Sequence, residues 1–222
     1  MQNTKILEMV NNGQIEELKA LIQDEIFMDG LKNKPGAKQR YAAMKRYFRY
    51  QNNNSNIACK MPCKEIEVHR ETYNSFVDGY SLVLTTESIG EMESFDNSQN
   101  SYLKVEQMIN FSVANSVEKI NFNAILAEAK AKGYKYKKSE IGNDQSFQYV
   151  FKYKEGYFKI GILDQAFSII NDGKEAEIYY VNEKALLFIK TSIGIAGILP
   201  VRPIDDIEKC KTIIKINDSK VA

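Results

Sequence analysis

From Tyr157 to Arg202 the apolar positions change period in an order that outlines one supersecondary unit. Residues Tyr157–Ile162 alternate, which predicts a strand. Leu163, Ala166, Phe167 and Ile170 then recur at i, i+3, i+4 and i+7, which predicts a short helix over Leu163–Asn171. Asp172-Gly173 supplies a stop with a positive φ available. Three β-branched or aromatic runs follow, Glu177–Val181, Leu186–Thr191 and Ile195–Val201, with turns at Asn182-Glu183-Lys184 and Ile193-Gly194. The predicted order is strand, helix, strand, strand, strand.

The N-terminal part has a helical period instead. Residues 4–12 and 14–28 predict two helices broken at Asn11-Asn12-Gly13. The second carries an apolar stripe of Ile15, Leu18, Leu21, Ile22 and Ile26 and ends at Asp29-Gly30. After a turn at Pro35-Gly36, a third helix covers Ala37–Tyr50 with Tyr41, Met44, Tyr47 and Phe48 inward. Asn52 to Asn56 is a polar linker. Beyond it, Lys64–Val68 and Tyr80–Glu87 read as strands, His69–Val77 as one or two helical turns and Ile89–Phe95 as a further strand, a weak echo of the later unit. Asn97 to Ser101 is a loop, and Tyr102–Val113 suits strand and helix equally. Val117–Phe122 leads into a helix over Asn123–Lys132 with a Gly133 stop. Tyr134–Ile141 and Gln145–Tyr153 form a hairpin about Gly142-Asn143-Asp144. Thr212–Ile216 reads either as an edge strand or as an ordered tail.

The unit at Tyr157–Arg202 resembles the C-terminal half-domain of the bacterial DNA polymerase sliding clamp. The residues that carry the resemblance are the aromatic-containing strand Phe158–Ile162, the Leu163-Asp164 helix start, the three strands after it and the closing Ile198-Leu199-Pro200-Val201-Arg202. It implies an α+β fold, a DNA-clamp-like domain of repeated strand-helix-strand-strand-strand units, here preceded by a helical N-terminal segment. Clamps assemble as rings, contact phosphates through Lys and Arg on inner helices and carry a pocket for partner peptides. By that resemblance the helices Asn123–Lys132 and Leu163–Asn171 face DNA. The first offers Lys130 and Lys132 beside Glu128; the second has Asp164 and, just beyond, Asp172, but no base. The chain departs from the family in continuing past Arg202. Its strand-to-helix starts, near Glu65, Val117 and Phe158, exceed the two half-units of a clamp domain. Either the first is an added element or residues 102–122 complete a first half, and both assignments fit the pattern.

Composition adds less. The 222 residues are 44% hydrophobic and 27% charged with net charge +1, a soluble globular composition without a global field to select a partner. No run approaches the ~18 apolar residues of a membrane helix, and the N-terminus is too polar for a signal peptide. Cys59, Cys63 and Cys210 make no disulfide framework, so a cytoplasmic protein with reduced thiols is expected. Locally the charge is segregated. Gly30 to Lys64 holds bases and no acid, whereas Glu65 to Glu106 is acidic apart from Arg70 and Lys104. The helix bearing Lys38, Arg40, Lys45, Arg46 and Arg49, interleaved with Tyr41, Tyr47 and Tyr50, suits a phosphate-facing surface. The alternative is that it docks on the acidic segment of its own chain or of a neighbour.

No catalytic set is evident. His69 stands alone at a strand end, and Cys59-x-x-x-Cys63 lacks zinc-ligand spacing, so neither a general base nor a metal site is expected. Ser192 to Gly197 is glycine-rich but precedes a strand rather than a helix, which suits a turn and a bulge and not a phosphate cradle. Glu91 and Glu93 read as solvated charges. The expected organisation is a helical segment over 1–55, a clamp-like sheet domain over 56–205 and a tail over 206–222. The expected function is that of a non-catalytic, cofactor-free accessory protein of phage or mobile-element origin, associated with double-stranded DNA through phosphate contacts. Its candidate contacts are Lys38, Arg40, Lys45, Arg46, Arg49, Lys130 and Lys132. The alternative is a protein-interaction module with no nucleic-acid role, its helical arm docking a partner and its sheet edges open to strand addition.

Overall fold

The computed structural model describes residues 2–50, 61–95, 109, 117–136, 149–201 and 212–215. The expected Asn52–Asn56 linker, the loop at 97–101, most of 102–113, the turn at 142–144, Arg202 and most of the C-terminal tail lie outside them. Two compact units are present, residues 1–38 and 39–222.

The first unit is a helical hairpin of α1 (Gln2–Asn11) and α2 (Ile15–Lys32), which pack on each other. Gly13, at φ 69°, makes the reversal, where its own N–H bonds Val10 and the Gln14 N–H bonds Met9. That pair of bonds is a Schellman motif, which a residue with a Cβ forms only at a cost. Helix α2 does not stop at Asp29-Gly30 as expected. Gly30 keeps a helical φ, and burial of Leu31 in the last turn outweighs the ~1 kcal/mol that glycine costs inside a helix.

In the second unit α3 (Ala37–Tyr50, counted here from Gln39) accompanies two sheets and two further helices. The larger sheet contains β1 (Cys63–Val68), β2 (Glu71–Val77), β3 (Ser81–Thr85), β4 (Val117–Ile120), β7 (Ala176–Tyr179), β8 (Leu187–Thr191) and β9 (Gly194–Ile198). Its order is β1-β2-β3-β9-β8-β7-β4, antiparallel throughout. The smaller sheet has β5 (Tyr149–Tyr153) between β6 (Gly156–Lys159), antiparallel, and β10 (Thr212–Lys215), parallel. The tail segment at 212–215 is therefore an edge strand.

Helix α4 (Phe122–Ala131) starts where the Asn121 side chain accepts the Ala124 N–H, and it ends in a second Schellman motif at Gly133. Helix α5 (Ile160–Ile170) lies against β3, β8 and β9 of the larger sheet, β5 and β6 of the smaller, and α4. Leu163, Ala166, Phe167 and Ile170 are buried as their spacing requires, but so are Ile160, Ile162 and Ile169. This added burial explains why the helix begins at Ile160 and not at Leu163. With only Gly161 and Ser168 left half-buried, the helix needs cover on nearly every side. Phe122, Phe151, Phe158 and Phe167 close the space between α4, α5 and the smaller sheet, with ring centroids 5.2–6.4 Å apart in consecutive contacts. On the larger sheet Phe76, Val83, Ala196, Ile198 and Ile189 alternate with Val77, Leu82, Leu84, Ile195 and Phe188, and the latter set joins a second buried cluster with Cys63, Ile66, Val68, Tyr73 and Ile109.

The strand-helix-strand-strand-strand order expected from Tyr157 is present as β6-α5-β7-β8-β9. The start near Glu65 is different. His69–Val77 is not helical: His69 and Arg70, at φ 52° and 68°, form a two-residue turn into β2, and Tyr73, Ser75 and Val77 alternate inward. Ile89–Phe95 is a turn segment ending in a single bridge from Phe95 to Cys63, not a strand. Residues 134–136 follow α4 without strand structure. Between β8 and β9 the turn is Ser192-Ile193, and the register is unbroken, so no bulge is present. Gly194 and Gly197 serve close packing instead. A Cβ at Gly194 would sit 2.2 Å from the Leu84 carbonyl oxygen and 2.6 Å from Ile170 Cγ2, and at Gly197 2.9 Å from the Phe188 ring. Among the described residues no helix is long and apolar enough to cross a membrane.

Gly194→Ala is expected to destabilise the second unit by about 1–3 kcal/mol through overpacking, and Phe167→Ala by about 3–5 kcal/mol through the cavity it leaves. Urea denaturation followed by near-ultraviolet circular dichroism checks both.

Candidate nucleic-acid interface

Helix α3 is where the sequence concentrates cations, and packing decides what each of them can reach. Tyr41, Ala43, Met44 and Tyr47 form its buried side. The Tyr47 hydroxyl meets the Ser81 hydroxyl at 2.9 Å, and its ring stands edge-on to Phe76 at 5.8 Å. That orientation sends Arg40 inward as well. Its side chain is 7% exposed, with Nη2 2.5 Å from Glu87 Oε1 and Nη1 donating to the Asn171 carbonyl at 3.4 Å. The guanidinium thus sits at the C-terminal end of α5, where a cation complements the carbonyl dipoles. Lys45 donates to Glu91 and lies 4.7 Å from the Tyr41 ring centre. Burial pushes the Lys45 ammonium down, but Glu91 and the Tyr41 hydroxyl outweigh it and leave its pKa raised. The Arg46 guanidinium stacks 4.3 Å from the Tyr136 ring centre. Lys38 is exposed, and the Arg49 side chain lies outside the described residues.

The basic helix therefore sends Arg40 and Lys45 to carboxylates of the acidic stretch that follows it. The bridges differ in kind. Arg40–Glu87 is desolvated, so loss of one partner strands a buried charge; Lys45–Glu91, at 30% and 50% exposure, is screened.

The helices that the clamp resemblance places toward DNA are not equivalent. On α4, Ala124, Ala127, Glu128 and Lys130 are exposed, and Lys132 pairs with Glu128 at 2.7 Å. Helix α5 presents no phosphate-facing surface, because nine of its residues, Asp164 included, are buried. Asp164 accepts from the Tyr134 hydroxyl at 3.1 Å, and burial followed by that carboxylate pushes the Tyr134 pKa upward. Asp172 accepts from the Ser192 hydroxyl at 2.7 Å, locking the β8–β9 turn to the end of α5.

A cleft of about 540 Å³ lies at the ends of β2, β3 and β8, lined by Glu71, Thr72, Tyr73, Thr86, Lys190 and Thr191 among others. Four of its hydroxyls already serve the fold: Thr191 donates to Ile170, Thr86 to Ile193, Tyr73 to Glu71 and Ser192 to Asp172. His69 is exposed at the β1–β2 turn. Among the described residues no three His, Cys, Asp or Glu side chains gather as metal ligands, and Cys63 is a buried thiol.

Sequence reasoning missed a second group of cations. One face of the smaller sheet carries the half-buried Lys152, Tyr157 and Lys159 and the exposed Lys215, together with the fully buried Val150. Lysines in acid-free strands are a readable signal, but the parallel pairing that brings Lys215 beside Lys152 is not.

No protein-family model matches the chain, and no curated protein sequence matches it. Among solved structures it is similar to a protein of Eubacterium rectale provisionally assigned as a DNA polymerase III beta subunit, with a TM-score of 0.50 and 14% identity over 75% of this chain. The match spans 64% of that protein's length. The α+β fold is thus clamp-like.

Arg40→Met is expected to cost about 3–5 kcal/mol, and adding Glu87→Leu to recover most of it. Lys45→Met should cost no more than about 1 kcal/mol. Guanidinium denaturation of the three variants checks the ranking.

Proposed function

We propose that this chain is a non-catalytic accessory protein built on a clamp-like domain and associated with nucleic acid through phosphate contacts. The observation that supports it is the architecture itself: one helix enclosed between two sheets, similar to a provisionally assigned clamp subunit. The chemistry of such a role is electrostatic, with lysines and arginines displacing counterions from phosphates and no bond made or broken. The contacts on this reading are exposed cations such as Lys38 and Lys130, with Arg40 and Lys45 holding α3 in place.

A second reading is favoured by a separate feature. Leu7, Val10, Ile15, Ile22 and Ile26 of the helical hairpin are 44–67% exposed, an apolar surface suited to a protein partner. On that reading the clamp-like body is a scaffold with no nucleic-acid role.

Binding of the full chain to generic double-stranded DNA, titrated with salt, separates the two. Nucleic-acid association is expected to give a log–log slope of about −2 or steeper, since each phosphate contact contributes about −0.9. Absence of binding at low salt would remove that reading and leave the partner-docking one.

A further inference from the structure

We propose that the helical hairpin of α1 and α2 is a self-association element, and that the partner it docks is the hairpin of a second copy of this chain. This names the partner in the second reading above and rests on that reading.

Helical geometry puts the exposed apolar residues on one face. At about 100° per residue, Ile15, Ile22 and Ile26 fall within about 40° of one another around α2, and Leu7 and Val10 within about 60° around α1. The half-buried Ile6 and Met9 on α1, and Leu18 and Leu21 on α2, mark the sides on which the two helices meet. On each helix the exposed stripe lies about 90–100° further round, in the same rotational sense. Antiparallel helices are related by a two-fold rotation, which carries equal offsets to the same side. Both stripes therefore emerge on one broad face of the hairpin.

The hairpin has no core of its own to compensate for that face. Among the described residues from Thr4 to Gly30 none is buried. Helices of 10 and 18 residues draw their stability from an apolar face packed on another element. At 44–67% exposure each of the five side chains leaves on the order of 100 Å² in water. Two such faces in contact cover on the order of 1,000 Å², the size at which a specific interface becomes stable. Charge beside the stripe favours a like partner. Lys19 and Asp29 flank it on opposite sides, and each is matched within α2, Lys19 by Glu16 at 2.8 Å and Asp29 by Lys32. These pairs leave no net charge there to select a cationic or anionic partner, whereas a second copy offers the same neutral apolar face. Docked about a two-fold axis, the two hairpins form two layers of a four-helix bundle, with five aliphatic side chains from each copy between them.

The test is sedimentation equilibrium of the full chain over a concentration series. Wild type is expected to be a dimer. Ile22→Glu/Ile26→Glu is expected to weaken it at least about a hundredfold, because each change enters a two-fold interface twice. Ile22→Ala/Ile26→Ala, which favours the helix while removing the apolar contact, is expected to weaken it about tenfold or more. Ala20→Glu, exposed on another side of α2, adds charge and is expected to stay within about threefold of wild type. Near-ultraviolet circular dichroism checks that the sheet-bearing unit is unchanged in all of them. A wild-type dimer that both Ile22/Ile26 variants leave intact would overturn the hairpin as its interface. A wild-type monomer would overturn self-association, and anilinonaphthalene sulfonate fluorescence then decides the reading beneath it. If Ile22→Glu/Ile26→Glu lowers the dye signal, the apolar face is open to a different protein; if the signal is unchanged, the partner-docking reading falls as well.

Discussion

Everything in the sheet-bearing unit depends on enclosing α5. Its sequence, IGILDQAFSII, is apolar except for one stripe of Gly161, Asp164, Gln165 and Ser168, and all but Gly161 and Ser168 are buried, so the helix is stable only where other elements meet it on nearly every side. The larger sheet supplies β3, β8 and β9, the smaller supplies β5 and β6, and α4 fills a flank. Polar groups caught inside carry the cost. Asp164 is met by Tyr134, while the amide of Gln165, 1% exposed, finds no hydrogen-bond partner among the described residues. An unsatisfied buried amide costs about 1–3 kcal/mol, which the apolar burial around it must exceed. The same enclosure explains Gly194: β9 must approach both β3 and α5 more closely than a methyl group permits.

That constraint reassigns the cations. A helix buried in the core cannot track phosphates, so of the two helices that the clamp resemblance places toward DNA only α4 keeps an exposed cation, Lys130. Arg40 is drawn into the same structure, bridging Glu87 and the Asn171 carbonyl at the end of α5, so the basic helix ties the acidic stretch to the core. Its basic composition is partly structural. Exposed cations lie elsewhere, Lys130 on α4 and Lys215 on the smaller sheet among them.

The unit from Tyr157 was legible because its period changes cleanly from two to 3.6 and back, and burial follows the period. The N-terminal helices were legible for the same reason, except at Gly30, where burial of Leu31 overrode a local stop signal. His69–Val77 was misread because the His69-Arg70 reversal uses residues that rarely take positive φ, so no glycine announced the hairpin. The glycines at 194 and 197 were placed in a turn and a bulge because sequence shows a missing side chain but not the neighbour that excludes it. Segregated charge was visible; which lysines and arginines would meet carboxylates was not, since that depends on contacts such as Arg40–Glu87 across 47 residues. Lys215 was beyond reach for a related reason, because parallel pairing of a distant segment leaves no local mark.

The most direct measurement is lysine acetylation footprinting of the folded chain with and without saturating double-stranded DNA, read by mass spectrometry. If the fold uses Arg40 and Lys45 internally and leaves the exposed cations for phosphates, Lys38 and Lys130 become protected while Lys45, held by Glu91, keeps its reactivity. Unchanged reactivity of Lys38 and Lys130 in the presence of DNA would contradict this.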